Sequence, residues 1–206
     1  MLNKILFQFG ENIKGYDVPV LNEREIRAGA GIMFLFAMIA FMNAFLIKNY
    51  LFLKLFVIAF LVDFTIRLVI NPKYSPFLIA GRVMVQNQTP EYSGAPQKKF
   101  AWILGLVLAI TMFFLVVVFN VVGPINLIIC VACLTFLFFE SVFGICLGCL
   151  VYNKFNKKKA KLCPGNVCSI NIKQKIQEIN WIQIVVIVLF VAVMLAIFFF
   201  RNYLIF

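Results

Sequence analysis

Histidine is absent from this sequence, and charged residues make up only 13% of its 206 positions. Without histidine, the chain cannot supply the ligand of a histidine-bound haem, a histidine-based metal site or a histidine proton shuttle. The small charged fraction is accompanied by 64% hydrophobic residues and a mean hydropathy of +1.00. A soluble domain of this size is roughly half apolar, so the composition predicts a protein of the lipid bilayer.

Five apolar runs are each long enough to cross a bilayer as a helix, which takes about 20 residues. They lie at about 28–47, 50–70, 100–121, 125–145 and 182–200. In lipid the backbone must satisfy its own hydrogen bonds, and long runs without alternation do so as helices. Very short turns join the first run to the second and the third to the fourth. We predict an all-α membrane protein, a helical bundle of two tight transmembrane hairpins plus a fifth transmembrane helix.

The apolar runs and the polar stretches between them divide the chain into four parts. Residues 1–27 are predicted to form a cytoplasmic N-terminal segment. Residues 28–152 are predicted to form a four-span membrane domain that includes an interfacial segment at 72–99. Residues 153–180 form a basic cytoplasmic loop with a cysteine pair, and residues 181–206 form the fifth transmembrane helix.

The start of the first helix has a recognisable pattern. Asn22 is a favourable N-cap residue, and the acidic residues Glu23 and Glu25 that follow it suit the positive end of a helix dipole. The run Ala28-Gly29-Ala30-Gly31 then lacks large side chains. Small residues in such a run permit close helix contact, so we expect another helix to pack against this turn.

The net charge of +11 does not indicate a nucleic-acid partner, because the basic residues sit mostly beside apolar runs, where they set topology and meet anionic lipid. Four of them precede the first run and seven lie within 153–180. The loop after the second run adds Lys73, Arg82, Lys98 and Lys99. The positive-inside rule then places the N-terminus in the cytoplasm and the C-terminus outside. The expected partner is the lipid bilayer.

Three charged side chains, Asp63, Arg67 and Glu140, lie in the inner halves of predicted spans. A charge in lipid costs at least roughly 2.5–3.5 kcal/mol, so such side chains face protein or water and form pairs. Asp63 and Arg67 are four residues apart on one helix face, with the acid first. The three residues form either a structural cluster that locks two helices or a proton or substrate site. The presence of an oppositely charged partner favours the structural role.

The six cysteines are Cys130, Cys133, Cys146, Cys149, Cys163 and Cys168. The first two lie one turn apart inside the fourth run, where cysteine usually acts as a small hydrophobe. Cys146 and Cys149 form a C-x-x-C motif where the fourth run reaches the cytoplasmic boundary. The last two flank a Pro-Gly turn in the basic loop.

Three roles compete for the four inner cysteines. The first is dithiol–disulfide exchange, because C-x-x-C lowers the thiol pKa and supplies a resolving partner. Cys149 is then the expected nucleophile of its pair, because it lies further from the hydrocarbon than Cys146. The second is a four-cysteine zinc site with the spacing C-x2-C-x13-C-x4-C. The third is inert packing.

The function favoured by these patterns is thiol-based redox or sulfur handling at the cytoplasmic face. Cys146 and Cys149 form the reactive pair, and Cys163 and Cys168 form a second relay or resolving pair. A thioredoxin-like or sulfurtransferase partner would fit that role. One alternative is a transporter or binding protein whose cysteines hold zinc or a sulfur-containing solute, and another is a structural membrane subunit. Whether the chain is an enzyme stays open at this stage.

Several stretches within about 21–152 resemble one bacterial membrane family, the domain of unknown function 4395 family. The matching pieces are Asn22-Glu23-Arg24-Glu25-Ile26-Arg27-Ala28, Asp63-Phe64 with Arg67, Pro72-Lys73-Tyr74-Ser75-Pro76, Phe100-Ala101, and Glu140 followed by Gly144 and Cys146-Leu147-Gly148-Cys149. The resemblance implies a four-span domain of undetermined activity in a bacterial inner (plasma) membrane. The fifth run is then an addition to that unit.

Overall fold

The structure is a computed structural model that describes residues 9–13, 16–155 and 181–199. The described chain is mostly helical, as predicted. Its elements are β1 (Val20–Asn22), α1 (Glu23–Leu46), α2 (Leu51–Thr65), α3 (Pro76–Val85), β2 (Tyr92–Gly94), α4 (Ala95–Met112), α5 (Pro124–Phe138), α6 (Leu147–Phe155) and α7 (Trp181–Phe199). The chain divides into two compact units, Met1–Ser169 and Ile170–Phe206.

Among the described residues, three helices are long and apolar enough to cross a membrane, namely Glu23–Leu46, Ala95–Val118 and Pro124–Phe143. The second and third combine α4 and α5 with π-helical continuations, in which hydrogen bonds run from residue i to residue i+5. α2 also has such a continuation, Ile66–Ile70, but this helix carries three charged side chains. The three apolar helices make the chain a membrane protein, whereas the total of five spans remains a prediction.

The predicted fifth span corresponds to α7, a helix of 19 residues in the second unit. In the first unit, large apolar side chains point outward on the helices. Leu46 is 74% exposed and Ile128 is 67% exposed. A soluble protein rarely exposes broad apolar surfaces of this kind, so these faces are suited to contact with lipid tails.

α1 is the central helix of the first unit, because it packs against α2, α3 and α5. Its closest contact is with α3. A Cβ atom at Gly81 of α3 would lie 2.6 Å from the Glu25 carbonyl oxygen, and one at Gly29 of α1 would lie 2.9 Å from the Phe77 carbonyl oxygen. The small residues at the start of α1 therefore allow the predicted close contact, and the helix that makes it is the predicted interfacial segment.

Two short strands hold together the starts of α1 and α4. β1 pairs antiparallel with β2, and this small ladder is absent from the all-α prediction. Asn22, the last residue of β1, accepts a hydrogen bond from the Arg24 amide at 3.2 Å and so caps α1 as expected. α4 begins at Ala95, five residues before the predicted start at 100. Lys98 and Lys99 consequently lie in its first turn instead of in a polar linker.

The fourth predicted run ends at a left-handed residue. Gly144 has a φ of +66°, a conformation that costs other L-residues about 1–2 kcal/mol, and it terminates the π-helical segment after α5. A separate helix, α6, starts three residues later at Leu147. The C-x-x-C motif therefore lies at the beginning of a new helix, and not at the end of the fourth span where the sequence placed it.

Candidate functional site

Asp63 and Arg67 form a buried ion pair. The distance from Arg67 Nη2 to Asp63 Oδ2 is 2.6 Å, and each side chain is 1% exposed. Ser75 Oγ donates to Asp63 Oδ1 at 2.6 Å, and the Phe77 amide donates to the same oxygen at 3.1 Å. Arg67 Nε in turn donates to Ser75 Oγ at 3.1 Å. The pair therefore joins α2 to the start of α3 through a closed set of hydrogen bonds.

The guanidinium of Arg67 also contacts aromatic rings. Its Cζ atom lies 4.7 Å from the Phe64 ring centroid and 5.0 Å from that of Trp102. Its Nη2 atom contacts the Met33 sulfur at 3.7 Å. Cation–π contacts are stronger where water is excluded. These neighbours come from α1, α2 and α4, so Arg67 holds three helices together as well as neutralising Asp63.

Glu140, the third predicted charge, forms its ion pair with a different residue. Its Oε1 atom lies 2.7 Å from Lys98 Nζ, and the same ammonium lies 2.9 Å from Glu23 Oε1. We call Glu23, Lys98 and Glu140 the Lys98 triad. The Lys98 side chain is fully buried, Glu23 is 3% exposed and Glu140 is 16% exposed. The structural cluster considered from the sequence is thus two separate clusters, and Lys98 is a buried partner instead of a topogenic loop lysine.

The three residues of the Lys98 triad lie on three different elements. Glu23 is the first residue of α1, Lys98 lies in the first turn of α4, and Glu140 lies in the π-helical segment after α5. The β1–β2 ladder brings the first two together because each strand leads into one of the helices. The hydroxyl of the buried Ser93 lies beside the Glu23 carboxylate and is its other hydrogen-bonding neighbour. The triad therefore contains two carboxyl groups, one ammonium and one neighbouring hydroxyl.

Cys146 and Cys149 are joined by a disulfide, with a Cα–Cα distance of 5.1 Å. Cys146 immediately precedes α6, and its sulfur accepts a hydrogen bond from the Cys149 amide at 3.3 Å. Unpaired amides and the helix dipole at a helix N-terminus stabilise a thiolate. Gly148 holds this turn closely against α4, because a Cβ atom there would lie 2.6 Å from the Ala101 Cβ.

The position of α6 changes which of the two cysteines is expected to be the nucleophile. Cys149 is 2% exposed and Cys146 is 5% exposed, so neither thiol projects into water. The sequence favoured Cys149 because a continuous helix would carry it beyond the hydrocarbon. The break at Gly144 removes that reason, and the helix N-terminus supports a thiolate on Cys146 instead.

A cavity of about 50 Å³ is lined by one member of the Lys98 triad and by one cysteine of the disulfide. Glu140, Cys146 and Cys133 all line it. A single water needs roughly 10–15 Å³ of such space, so the cavity can accommodate water-sized groups. A second cavity of about 40 Å³ also has Cys133 in its wall, together with Cys130. The glycine break after α5 therefore brings an acid and a C-x-x-C cysteine to one cavity, although an uninterrupted helix would point them apart.

Cys163 and Cys168 lie outside the described residues, so the second cysteine pair and the four-cysteine zinc site remain predictions. Within residues 9–13, 16–155 and 181–199, no group of three or more cysteine or acidic side chains is arranged to hold a metal ion. Cys130 and Cys133 are free thiols. The described cysteines therefore offer one disulfide and two unpaired thiols.

The sequence interpretation missed Glu23 and Lys98 as members of a buried site. Glu23 was assigned to a helix dipole and Lys98 to topology, both of which are ordinary roles for residues beside a span. One signal was available. Glu140 needed a cation at its own depth, and Arg67 was already matched by Asp63 at the favourable spacing. The remaining basic residues near the inner ends of spans were therefore the candidates for its partner.

Over residues 21–157, the chain matches the family described as Domain of unknown function (DUF4395). No curated protein and no solved structure matches the chain. The matched stretch is more than half of the 206 residues, and it contains the Lys98 triad, the Asp63–Arg67 pair and the C-x-x-C motif. The family resemblance drawn from those residues is confirmed, and the chain belongs to the DUF4395 family.

Proposed function

We propose that this protein is a membrane thiol-redox protein in which Cys146 and Cys149 alternate between a disulfide and a dithiol. The observation that carries the proposal is the position of this disulfide across the first turn of α6, with the Cys149 amide directed at the Cys146 sulfur. A reduced Cys146 in that position has a stabilised thiolate, and Cys149 is next to it as the resolving thiol.

The reaction is a two-electron exchange. A dithiol reductant attacks the sulfur of Cys146, the Cys146–Cys149 bond breaks, and a disulfide forms in the reductant. Two protons leave the thiols of the reductant, and two are taken up by the cysteines. The reverse reaction oxidises a dithiol substrate. Because both cysteines are buried, small dithiols fit the approach through the cavity better than a folded protein does.

The second cysteine pair extends this proposal. Cys163 and Cys168 belong to the stretch 153–180, which the sequence predicts to be a basic loop, and they would relay electrons between Cys146–Cys149 and a thioredoxin-like or sulfurtransferase partner. The proposed location is a bacterial inner membrane, with the N-terminus and the basic loop in the cytoplasm and the C-terminus outside. Reporter fusions after Lys161 and at Phe206 are expected to lie on opposite sides. A common side for both reporters would contradict this orientation.

The proposed function is tested by thiol counting on the purified, detergent-solubilised protein. Free thiols are alkylated before and after treatment with dithiothreitol, and the alkylated sites are mapped by mass spectrometry. We expect a Cys146–Cys149 link that opens with the reductant and re-forms on mild oxidation. Cys146→Ser and Cys149→Ser should each abolish the cycle, whereas Cys130→Ser is the matched control because Cys130 is a free thiol elsewhere in the membrane domain.

Bound metal is measured on the same preparation. Stoichiometric zinc, with the four inner thiols protected until a chelator is added, would replace the redox proposal with the four-cysteine zinc site. Free Cys146 and Cys149 thiols that mild oxidants cannot join would also contradict the redox proposal, and would leave a structural role for both cysteines.

A further inference from the structure

We propose that the Lys98 triad is a proton site, in which Glu23 and Glu140 share one proton and Glu140 delivers it to Cys146 when the disulfide opens. This inference rests on the proposed redox function. It goes further by assigning a proton donor to the reaction, and the donor lies on a different element from the cysteines.

Charge balance is the first reason. The triad contains two carboxyl groups and one ammonium, and each carboxyl group has an oxygen within 2.9 Å of Lys98 Nζ. If every group were ionised, a net negative charge would remain at a site where Lys98 is fully buried and Glu23 is 3% exposed. An uncompensated buried charge is costly, and a carboxyl group avoids the cost by taking up a proton.

The neighbouring charges do not remove this excess. From α2, Asp63 and Arg67 neutralise each other at 2.6 Å. From α1, Arg27 donates to the Val142 carbonyl at 3.3 Å and reaches the surface. Two further titratable side chains line the cavity: Cys146, just before α6, which carries no charge as a disulfide, and Cys133 of α5, a free thiol. The described surroundings therefore leave the triad with one negative charge more than positive.

The hydrogen-bonding groups around the two acids are the second reason. Lys98 Nζ lies within 2.9 Å of one oxygen of each acid, and the Ser93 hydroxyl lies beside the Glu23 carboxyl group. A proton on a carboxyl group converts an acceptor into a donor, and a serine hydroxyl can accept as well as donate a hydrogen bond. The triad can therefore hold one proton without leaving a buried polar group unpaired.

The cavity connects this proton to the cysteines. Glu140 and Cys146 both line the space of about 50 Å³. When a dithiol reductant attacks Cys146, Cys149 leaves first and takes a proton from water, while the reductant remains joined to Cys146 as a mixed disulfide. The second thiol of the reductant then displaces Cys146, and Glu140 donates its proton across the cavity to this leaving sulfur. The two protons lost by the reductant pass to water, and Glu23 and Lys98 remain beside the negative charge left on Glu140. A proton from the aqueous side restores the triad after each turnover.

The first test detects the proton itself. The infrared absorption of a protonated carboxyl group is measured on the detergent-solubilised protein at neutral pH. We expect a band in the unmodified protein that is lost in both Glu140→Gln and Glu23→Gln, because each variant removes the excess negative charge. Glu25→Gln is the matched control, since Glu25 pairs with Arg82 away from the cavity and is expected to keep the band. Absence of the band from the unmodified protein would overturn the proton site.

The second test measures the rate at which dithiothreitol opens the Cys146–Cys149 disulfide as a function of pH. General acid catalysis contributes roughly 10²–10⁴-fold, so Glu140→Gln should slow the reaction at least tenfold at neutral pH and flatten its pH dependence. Glu25→Gln should react like the unmodified protein. Equal rates in Glu140→Gln and the unmodified protein would overturn the donor role while leaving the redox function intact. A disulfide that no dithiol opens in any of these proteins would instead overturn the proposed function.

Discussion

The two buried ion clusters of the first unit differ in how completely their charges are matched. The Asp63–Arg67 pair has one acid and one base, and each side chain is 1% exposed. Hydroxyl, amide and aromatic groups surround the pair. The Lys98 triad has two acids for one base, and one of those acids, Glu140, lines a cavity. Similar residues therefore form a charge-balanced ion pair between Asp63 and Arg67, but a cluster with one excess acid around Lys98.

The difference separates two uses of charge inside a membrane domain. A fully matched pair has no reason to exchange a proton, and its value lies in holding helices together, because loss of either partner leaves the other buried alone. A site with excess acid responds to pH and to neighbouring reactions, because one proton decides whether its charge is balanced. Two of the four predictions that follow each break one of these clusters and leave the other intact. The other two concern Gly144 and the two cysteines of the disulfide.

The largest effect is expected for Asp63→Asn. Arg67 cannot lose its proton, so the variant leaves a guanidinium buried without a counter-charge and should lose about 3–5 kcal/mol of unfolding free energy. The loss should be similar at neutral and alkaline pH, where Arg67 stays charged, as measured by thermal melting in detergent. Glu25→Gln breaks the more exposed pair with Arg82, and should cost less than about 1 kcal/mol. Equal melting temperatures for the two variants would contradict a locking role for Asp63.

A smaller effect that depends on pH is expected for Lys98→Met. The variant leaves the two carboxyl groups of the triad together, and removing hydrogen bonds to a charged group should cost about 1.5–3 kcal/mol. The two carboxyl groups can take up protons, so the loss should shrink in acid and grow in alkali. Lys99→Met is the matched control because Lys99 is exposed. A pH-independent loss in Lys98→Met would make the triad resemble the Asp63–Arg67 pair and would remove the contrast between them.

The next effect concerns the break that brings the cysteines to the triad. In Gly144→Ala the new Cβ would be placed at a φ of +66° and 3.1 Å from the Arg27 guanidinium carbon, at a cost of about 1–2 kcal/mol. We also expect the opening of the Cys146–Cys149 disulfide by dithiothreitol to change in rate, because α6 must shift. Gly123→Ala provides the control, since a Cβ there meets nothing within 4 Å. If the two variants had the same melting temperature and the same rate of disulfide opening, Gly144 would not be required for this geometry.

The smallest effect is a difference in reactivity between the two cysteines. In the reduced protein, Cys146 should be alkylated several-fold faster than Cys149, because a helix N-terminus stabilises nearby negative charge by about 0.3–1 kcal/mol. Cys146 also lines the cavity and is the less buried of the two. The rates are measured by mass spectrometry, with Cys149→Ser and Cys146→Ser as references for each isolated thiol. Faster alkylation of Cys149 would support the interpretation made from the sequence instead.

Much of the architecture follows from local pattern. The apolar runs correspond to helices, Asn22 caps α1, and the four-residue spacing of Asp63 and Arg67 produces the ion pair. Each of these depends on residues close together in the chain. The stop at Pro72–Pro76 is also correct, since a short 3-10 turn over Pro72–Tyr74 follows α2 and its continuation.

The rest depends on partners distant in the chain. Lys98 and Glu140 are 42 residues apart, and a lysine beside a span has the same local sequence whether it faces lipid headgroups or a buried acid. Gly144 is equally ambiguous, because glycine is tolerated inside helices and its left-handed conformation appears only when the chain must turn. A three-residue strand such as β2 has too little sequence to be distinguished from a loop.

The β1–β2 ladder sets which sides of α1 and α4 face each other, because each strand runs directly into one of these helices. β1 leads directly to Glu23, and β2 leads to Lys98 in the first turn of α4. One residue inserted between Gly94 and Lys98 would turn the lysine by about 100° around the axis of α4 and away from both carboxyl groups. Residues inserted at 86–87 leave this orientation unchanged and cost little in loop-closure entropy, because they precede Gln88 and Glu91, which bond to Arg24 at the start of α1. Chain length is therefore free to vary on one side of β2, whereas on the other side it is fixed by the need to keep one ammonium between two acids.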